Sequence, residues 1–224
     1  MTDAHDSKAL WLSIRTNLDQ FDVSLGRATA QAYVKDPRML SFITSRYKFA
    51  SKMLTGADVA IEIGCGDAFG APIVAQAVKR LICTDIDEET IEQNRTRCEA
   101  FNNIEFHYHD FRAAPHSERA RAIYLVDVIE HIFEREEPLF MGNIARSLTP
   151  DGFVLMGTPN KNAEQYASQH SREGHVNLKT QQTLREMLSR YFQNVFMFSM
   201  NDEVVHTGYG PMAHYIWGLG VGPR

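Results

Sequence analysis

The chain has 224 residues, 44% of them hydrophobic and 23% charged, the composition of a globular chain long enough to bury a full core. A formal net charge of −5 with no Lys/Arg cluster gives no electrostatic ground for a nucleic-acid partner, which asks for a basic face. Cys65, Cys83 and Cys98 suggest neither a disulfide framework nor a metal-type spacing. The polar start MTDAHDSKAL is unlike a signal peptide, and no apolar run approaches membrane-spanning length. A cytoplasmic protein without membrane insertion is the expectation.

Residues 1–55 read as a helical cap. Leu10, Ile14, Leu18 and Phe21 recur at helical spacing, and Asp36-Pro37 opens a second helix through Met39, Phe42, Ile43, Tyr47 and Phe49. From residue 56 the pattern changes to strands at 59–63, 81–84, 104–108, 123–126, 153–157 and 195–200. Helices at 72–79, 88–101, 133–148 and 180–191 separate them, the last with Thr180 as a plausible cap. Pro150-Asp151-Gly152 reads as a turn, and 213–218 offers a seventh strand, either an inner strand or a dimer edge. Such alternation predicts an α/β, Rossmann-like, mostly parallel sheet with helices on both faces. Residues 158–179 form an aperiodic loop long enough to suggest function.

Doubly wound sheets bind ligands at the carboxyl ends of their strands, so the residues after each strand carry the chemistry. The stretch VAIEIGCGDAFG places Gly64, Gly66 and Gly70 after a strand, with Asp85 ending the next strand. A nicotinamide dinucleotide suits that arrangement. S-adenosylmethionine suits it too, with glycines against its amino-acid part and Asp85 on the ribose hydroxyls. Three features separate the two. Glu62 suits a positive amino group and would repel a pyrophosphate. Asp110 can accept from the adenine amine while Phe111 packs on the ring. Asp127-Val128-Ile129-Glu130-His131 follows the fourth strand, where a methyl would be presented.

In this order the motifs resemble the class I S-adenosylmethionine-dependent methyltransferases over about residues 55–200: IEIGCGDAFG, TDID, HDF, DVIEHI, then SLTPDGFVLMGTPN. The resemblance implies a seven-stranded sheet whose last strand runs antiparallel. It also implies cofactor contacts at Glu62, Gly64, Cys65, Gly66, Asp85, Ile86, Asp110, Phe111 and Asp127. RYKFASKML, GHVNLKTQQTLREML and MNDEVVHTGYGPMAHYIW further resemble a subgroup found among bacterial surface-polysaccharide modification enzymes. One departure is Ala68, where the family commonly has glycine; a methyl there is strained if φ is positive.

Transfer to an alcohol invites a general base. His131 is the first candidate, with Glu130 orienting it or binding substrate, and His175 and His206 are the alternatives. Asn160, Tyr166, His170, His175 and Asn177 in the long loop, and Asp202, Tyr209 and their neighbours near the end, suit a hydroxyl-rich small acceptor. Tyr33, Arg46 and Tyr47 are candidate lid contacts. No metal is expected, because the adjacent acid-amide pair is missing and the histidines lack helical ligand spacing. The expectation is therefore O-methylation of a sugar or nucleotide-sugar in surface-polysaccharide biosynthesis. The alternatives are an N-methyltransferase or a quinone-type O-methyltransferase, and more distantly an NAD(P)-binding oxidoreductase or a non-catalytic cofactor-binding protein.

Overall fold

Short apolar runs become strands because their side chains are buried on both faces, and the glycines after them let the chain reverse into a helix. In the computed structural model, which describes residues 6–15, 23–166 and 173–224, these runs assemble into one mixed sheet. Strands β1 (Val59–Ile63), β2 (Arg80–Asp85), β3 (Ile104–Tyr108), β4 (Ala120–Val126) and β5 (Leu148–Pro159) are mutually parallel. The remaining strands are β6 (Phe192–Asn201), β7 (Val204–His206) and β8 (Tyr215–Pro223), and the order is β3-β2-β1-β4-β5-β8-β6-β7.

The sheet has eight strands where the resemblance implied seven, because Asp202-Glu203 folds a three-residue strand back onto the edge of β6. The C-terminal tail is an inner strand: β8 runs antiparallel between β5 and β6. Its alternating glycines make that possible. A Cβ on Gly218 would lie 2.4 Å from Leu188 Cδ1, and one on Gly220 2.6 Å from Phe192 Cδ2. Pro150-Asp151-Gly152 is a bulge inside β5 and not a turn between elements. Leu148 pairs with Ala120 and Phe153 with Ala122, so 149–152 are extruded opposite Arg121.

One face of the sheet is covered by α3 (Met39–Met53), α4 (Ala71–Ala75) and α5 (Glu88–Arg97), the other by α6 (Glu137–Arg146) and α7 (Gln181–Ser189). Thr180 caps α7 as expected, accepting from Thr183 N while Thr183 Oγ1 accepts from Thr180 N. α4 and α5 end earlier than their apolar spacing suggested. The N-terminal segment holds three helices among the described residues: α1 (Ser7–Arg15), α2 (Arg27–Lys35) and α3. Leu18 and Phe21 lie outside the described residues. Leu10 and Ile14 are 62% and 44% exposed, so the apolar spacing of α1 does not translate into burial. α3, by contrast, contributes Tyr47 and Ala50 to the same core as β1 and β4.

The direction of strand addition reverses between β1 and β4, so Gly64 and Asp127 face each other across the switch point. Close packing behind it leaves no room for added volume. A Cβ on Gly157 of β5 would come 2.6 Å from Trp217 Cζ3 and 2.7 Å from the Tyr215 hydroxyl. Gly157→Ala is expected to cost about 1–3 kcal/mol, read as a lower urea midpoint with an unchanged slope.

Candidate active site

β1 ends on Gly64-Cys65-Gly66. Gly64 has φ +68, and a Cβ there would lie 2.6 Å from Val128 Cγ2, so glycine is required both by backbone and by space. Gly66 has φ +52, and a Cβ there would meet nothing within 4 Å. Asp85 closes this turn: its Oδ2 accepts from Gly66 N at 2.9 Å and its Oδ1 from Asp87 N at 3.0 Å. Ala68 has φ +54 and is buried, so the departure from glycine is a strained one, worth about 1–2 kcal/mol. Asp67 of the same loop receives Thr29 N at 2.8 Å and Thr29 Oγ1 at 2.9 Å, which ties the start of α2 to the glycine turn.

Beside the turn lies a pocket of about 260 Å³. Gly64, Gly66, Asp85, Ile86, Asp110, Phe111, Asp127 and His131 all line it, as read from the sequence. Ile63, His109, Arg112, Val128, Ile132 and Phe140 complete it. None of these was a candidate contact, although His109 and Val128 lie inside the motifs HDF and DVIEHI; Ile63 and Phe140 read as ordinary strand and helix residues. Asp110 does not present a free carboxylate. Arg112 Nε and NH2 donate to its two oxygens at 3.0 and 2.9 Å, and that guanidinium holds its pKa below the usual range.

Two expected cofactor contacts lie behind the pocket wall. Cys65 is buried, its Sγ 3.7 Å from Gly66 O and within 3.8 Å of Asn94 Nδ2, and burial pushes its thiol pKa up. Its side chain is core and not pocket. Glu62 is 1% exposed because alternate residues of β1 face opposite sides, and its side chain enters the α3 face beside Tyr47 and Tyr124. Cys83 Sγ donates to Oε2 at 3.3 Å, while Oε1 has no hydrogen-bond partner. Burial raises the pKa of Glu62 to about 7, against the lowering effect of Tyr124, Tyr47 and Cys83.

Asp127 ends β4 with φ +58. Arg46 NH1 of α3 donates to its Oδ2 at 2.6 Å, and its Oδ1 is buried without a partner. The Arg46 guanidinium also lies 4.1 Å from the centre of the Tyr215 ring. The next turn, Ile129–His131, is a single 3-10 turn. Glu130 is fully buried there, with Oε2 accepting from Thr158 Oγ1 at 3.0 Å. Burial first, and the Asp127 charge second, raise its pKa to about 8. His131 Nδ1 lies 2.8 Å from Gly174 O, and its ring is 5.3 Å from that of His175.

A second cavity of about 310 Å³ lies beyond Arg46, lined among others by Asn160, Glu164, Tyr166, His175 and His214. An adjoining cleft of about 130 Å³ adds Phe42, Asp202 and Tyr215. Tyr166 is on this surface and 73% exposed, with His214 5.7 Å from its ring. Asn160 lines the cavity, but its Nδ2 is spent on Gly210 O and Ala213 O at 2.9 and 2.8 Å. Asn177 is elsewhere: it is buried, donates to Glu137 Oε2 at 3.2 Å and accepts from Lys179 Nζ, beside a 2.6 Å Lys179–Glu137 ion pair. Asp202 is the first residue of the β6–β7 turn as well as a cleft residue.

Tyr209 is 71% exposed and lines none of these cavities. His206 sits on edge strand β7, with Nε2 3.0 Å from Asn201 Oδ1 and Nδ1 accepting from Gly208 N, so it is no base for this site. Tyr33 is exposed and also lines none of them. His170 lies outside the described residues.

Residues 60–152 match the family model described as a methyltransferase domain. Over 116 residues the chain is 28% identical to a probable S-adenosylmethionine-dependent methyltransferase of Mycolicibacterium smegmatis, a match covering 51% of this chain and 43% of that protein. The matched segment thus spans less than half the length of that relative. The fold is shared with the N-methyltransferase NodS of Bradyrhizobium japonicum in complex with S-adenosyl-L-homocysteine, with a TM-score of 0.61 and 17% identity. That superposition covers 84% of this chain and 87% of the other. It is shared too with DhpI in its complex with the same product, with a TM-score of 0.63 and 16% identity over 88% and 94% of the chains. With the ordered motifs and the switch-point pocket, the family match and the curated relatives support a class I S-adenosylmethionine-dependent methyltransferase domain, and the solved structures share its fold. S-adenosylmethionine is its cofactor, and the residues present fit it. Gly66 leaves open space for close approach, Asp85 reaches the pocket, and the buried Asp127 Oδ1 waits for a donor.

Asp85→Ala is expected to weaken S-adenosylhomocysteine binding about 10- to 100-fold, the loss of charged hydrogen bonds, in isothermal titration. Glu62 makes a separate pH prediction. Its folded pKa, about 7, lies above its ordinary value, so the stability it contributes is fully present below pH ~4.5 and is lost as pH rises through ~7. Glu62→Gln is therefore expected to melt above the wild type at pH 8, by an amount on the order of 3 kcal/mol at most. The two should converge near pH 5. A variant that melts lower at pH 8 would show the ionised carboxylate to be held favourably.

Proposed function

We propose that this chain transfers a methyl group to a hydroxyl of a small, hydroxyl-rich acceptor, with sugars or nucleotide-sugars of surface-polysaccharide biosynthesis as the preferred class. The observation that carries this reading is the meeting of two cavities. His131 lines the cofactor pocket, His175 lines the second cavity, and their rings are 5.3 Å apart. The second cavity supports a polar acceptor: Arg46, Glu164, Tyr166 and His214 surround it with donors and acceptors. Three buried free thiols suit a reducing, cytoplasmic setting. Among the described residues, no helix is long and apolar enough to cross a membrane.

S-adenosylmethionine supplies a sulfonium methyl that is already activated. The chain's own work is then to hold donor and acceptor in line and keep water out. Of the residues lining the pocket, Asp85 would hold the ribose hydroxyls of the cofactor and the Asp127 carboxylate its amino end. α3 closes the boundary between the cavities through Arg46, with α2 fastened beside it by Asp67. At the Glu130–His131–His175 junction the acceptor O–H would give its proton to an imidazole nitrogen of the junction as its oxygen bonds to the methyl carbon. The C–S bond breaks with its electron pair going to sulfur, leaving a methyl ether and S-adenosylhomocysteine.

The test is S-adenosylhomocysteine formation with sugar nucleotides, amines and quinol precursors as acceptors. Turnover with the first group is expected, and His175→Ala should lower kcat by about 10²-fold or more while product affinity stays within threefold. Turnover confined to amines or to quinol precursors would overturn the acceptor class.

A further inference from the structure

Glu130, His131 and His175 converge although 43 residues of chain separate the two sides of the contact at His131 and Gly174. A carboxylate oxygen and a ring nitrogen from each histidine lie within 4.8 Å of one another. No local ligand spacing encodes this grouping, because tertiary packing brings its members together.

Three features make this junction more than a coincidence of side chains. Glu130 is fully buried and one of its oxygens, Oε1, has no hydrogen-bond partner, an arrangement that is costly unless something positive or protonated meets it. His131 Nδ1 faces the carbonyl of Gly174, which only accepts, so Nδ1 carries the proton and Nε2 keeps its lone pair. That is how a ligating imidazole is oriented. Finally, Val176 N and Asn177 N donate to Glu130 O at 2.8 and 3.0 Å. The segment bearing His175 is thereby fastened by its backbone to the turn that bears Glu130 and His131.

We propose that Glu130, His131 and His175 hold a divalent transition-metal ion whose open coordination positions face the second cavity and receive the acceptor hydroxyl. Two imidazoles and one carboxylate suit zinc, cobalt, manganese or iron, and not magnesium or calcium, which prefer oxygen alone. With bonds of about 2.1 Å, the ligands of one ion lie roughly 3–4 Å apart, so the cluster closes by shifts of about an ångström. The role assigned to the ion rests on the methyl-transfer reading: it lets the acceptor hydroxyl release its proton to solvent near neutral pH. Binding of the ion does not rest on that reading.

The test uses tag-free, chelator-treated full chain titrated with Co²⁺, followed by visible absorption, and with Zn²⁺ by calorimetry. One equivalent of Co²⁺ should bind, Mg²⁺ should not compete, and His175→Ala and Glu130→Gln should each weaken Co²⁺ at least tenfold. His206→Ala, outside the cluster, should bind Co²⁺ as the wild type does. S-adenosylhomocysteine titration and a melt on every variant separate loss of the ion from loss of the fold. Absence of Co²⁺ and Zn²⁺ binding, or undiminished binding in folded His175→Ala, overturns the site. The two proposals fail separately. Co²⁺ binding without methyl transfer to any hydroxyl acceptor upholds the ion and removes the proposed function. Full transfer by the metal-free protein removes the role assigned to the ion and leaves the function.

Discussion

The contact on which the site depends is the ion pair between Arg46 of α3 and Asp127 at the end of β4. It joins an N-terminal helix to the switch point of the sheet and forms the partition between the two cavities. Burial by itself would lower the pKa of Arg46, but Asp127, Tyr215 and Glu130 together raise it, so the guanidinium stays charged. Removing either partner would leave an uncompensated charge next to the cofactor pocket. β8 takes part as well, because the Tyr215 ring lies beside the same guanidinium. The inner position of the C-terminal strand is thus tied to the site and not only to the core.

Around that pair the protein concentrates acidic groups that it does not fully satisfy. Glu62, Asp127 and Glu130 each keep a buried oxygen without a hydrogen-bond partner. Glu62 and Glu130 both have pKa values raised by burial. A fold selected only for stability would fill such positions with apolar side chains. Strain is found in the same place: Ala68 and Asp127 both adopt positive φ within the loops that border the pocket. Unpartnered acidic oxygens and backbone strain thus gather at the same end of the sheet.

The two cavities differ in construction. The cofactor pocket is built by consecutive βα turns and rests on Gly64, whose replacement would clash with Val128, and on Gly66, whose positive φ favours glycine. The second cavity is assembled from parts that are distant in sequence: α3, the end of β5, the segment before α7 and the residues leading into β8. The first is therefore set by local chemistry that many chains share. The second depends on how these particular segments pack.

That difference also explains what the sequence determined by itself. The alternation of strands and helices, the glycine turn with Asp85, and the run from Asp127 to His131 were legible because each is a short pattern in which residue type and backbone geometry constrain one another. Cys65 and Glu62 were misjudged in position for a related reason: their neighbours in sequence line the pocket, but strand alternation and the turn aim their side chains into the core. Tertiary structure alone decided that Asn177 serves a buried ion pair, that His206 lies on an edge strand, and that the glycine-rich tail threads between β5 and β6. It alone brought His175 to Glu130 and His131, through backbone hydrogen bonds that no spacing rule encodes. Local sequence specifies turns and strand ends, whereas contacts across many residues are fixed only when the core on both sides of the sheet has packed.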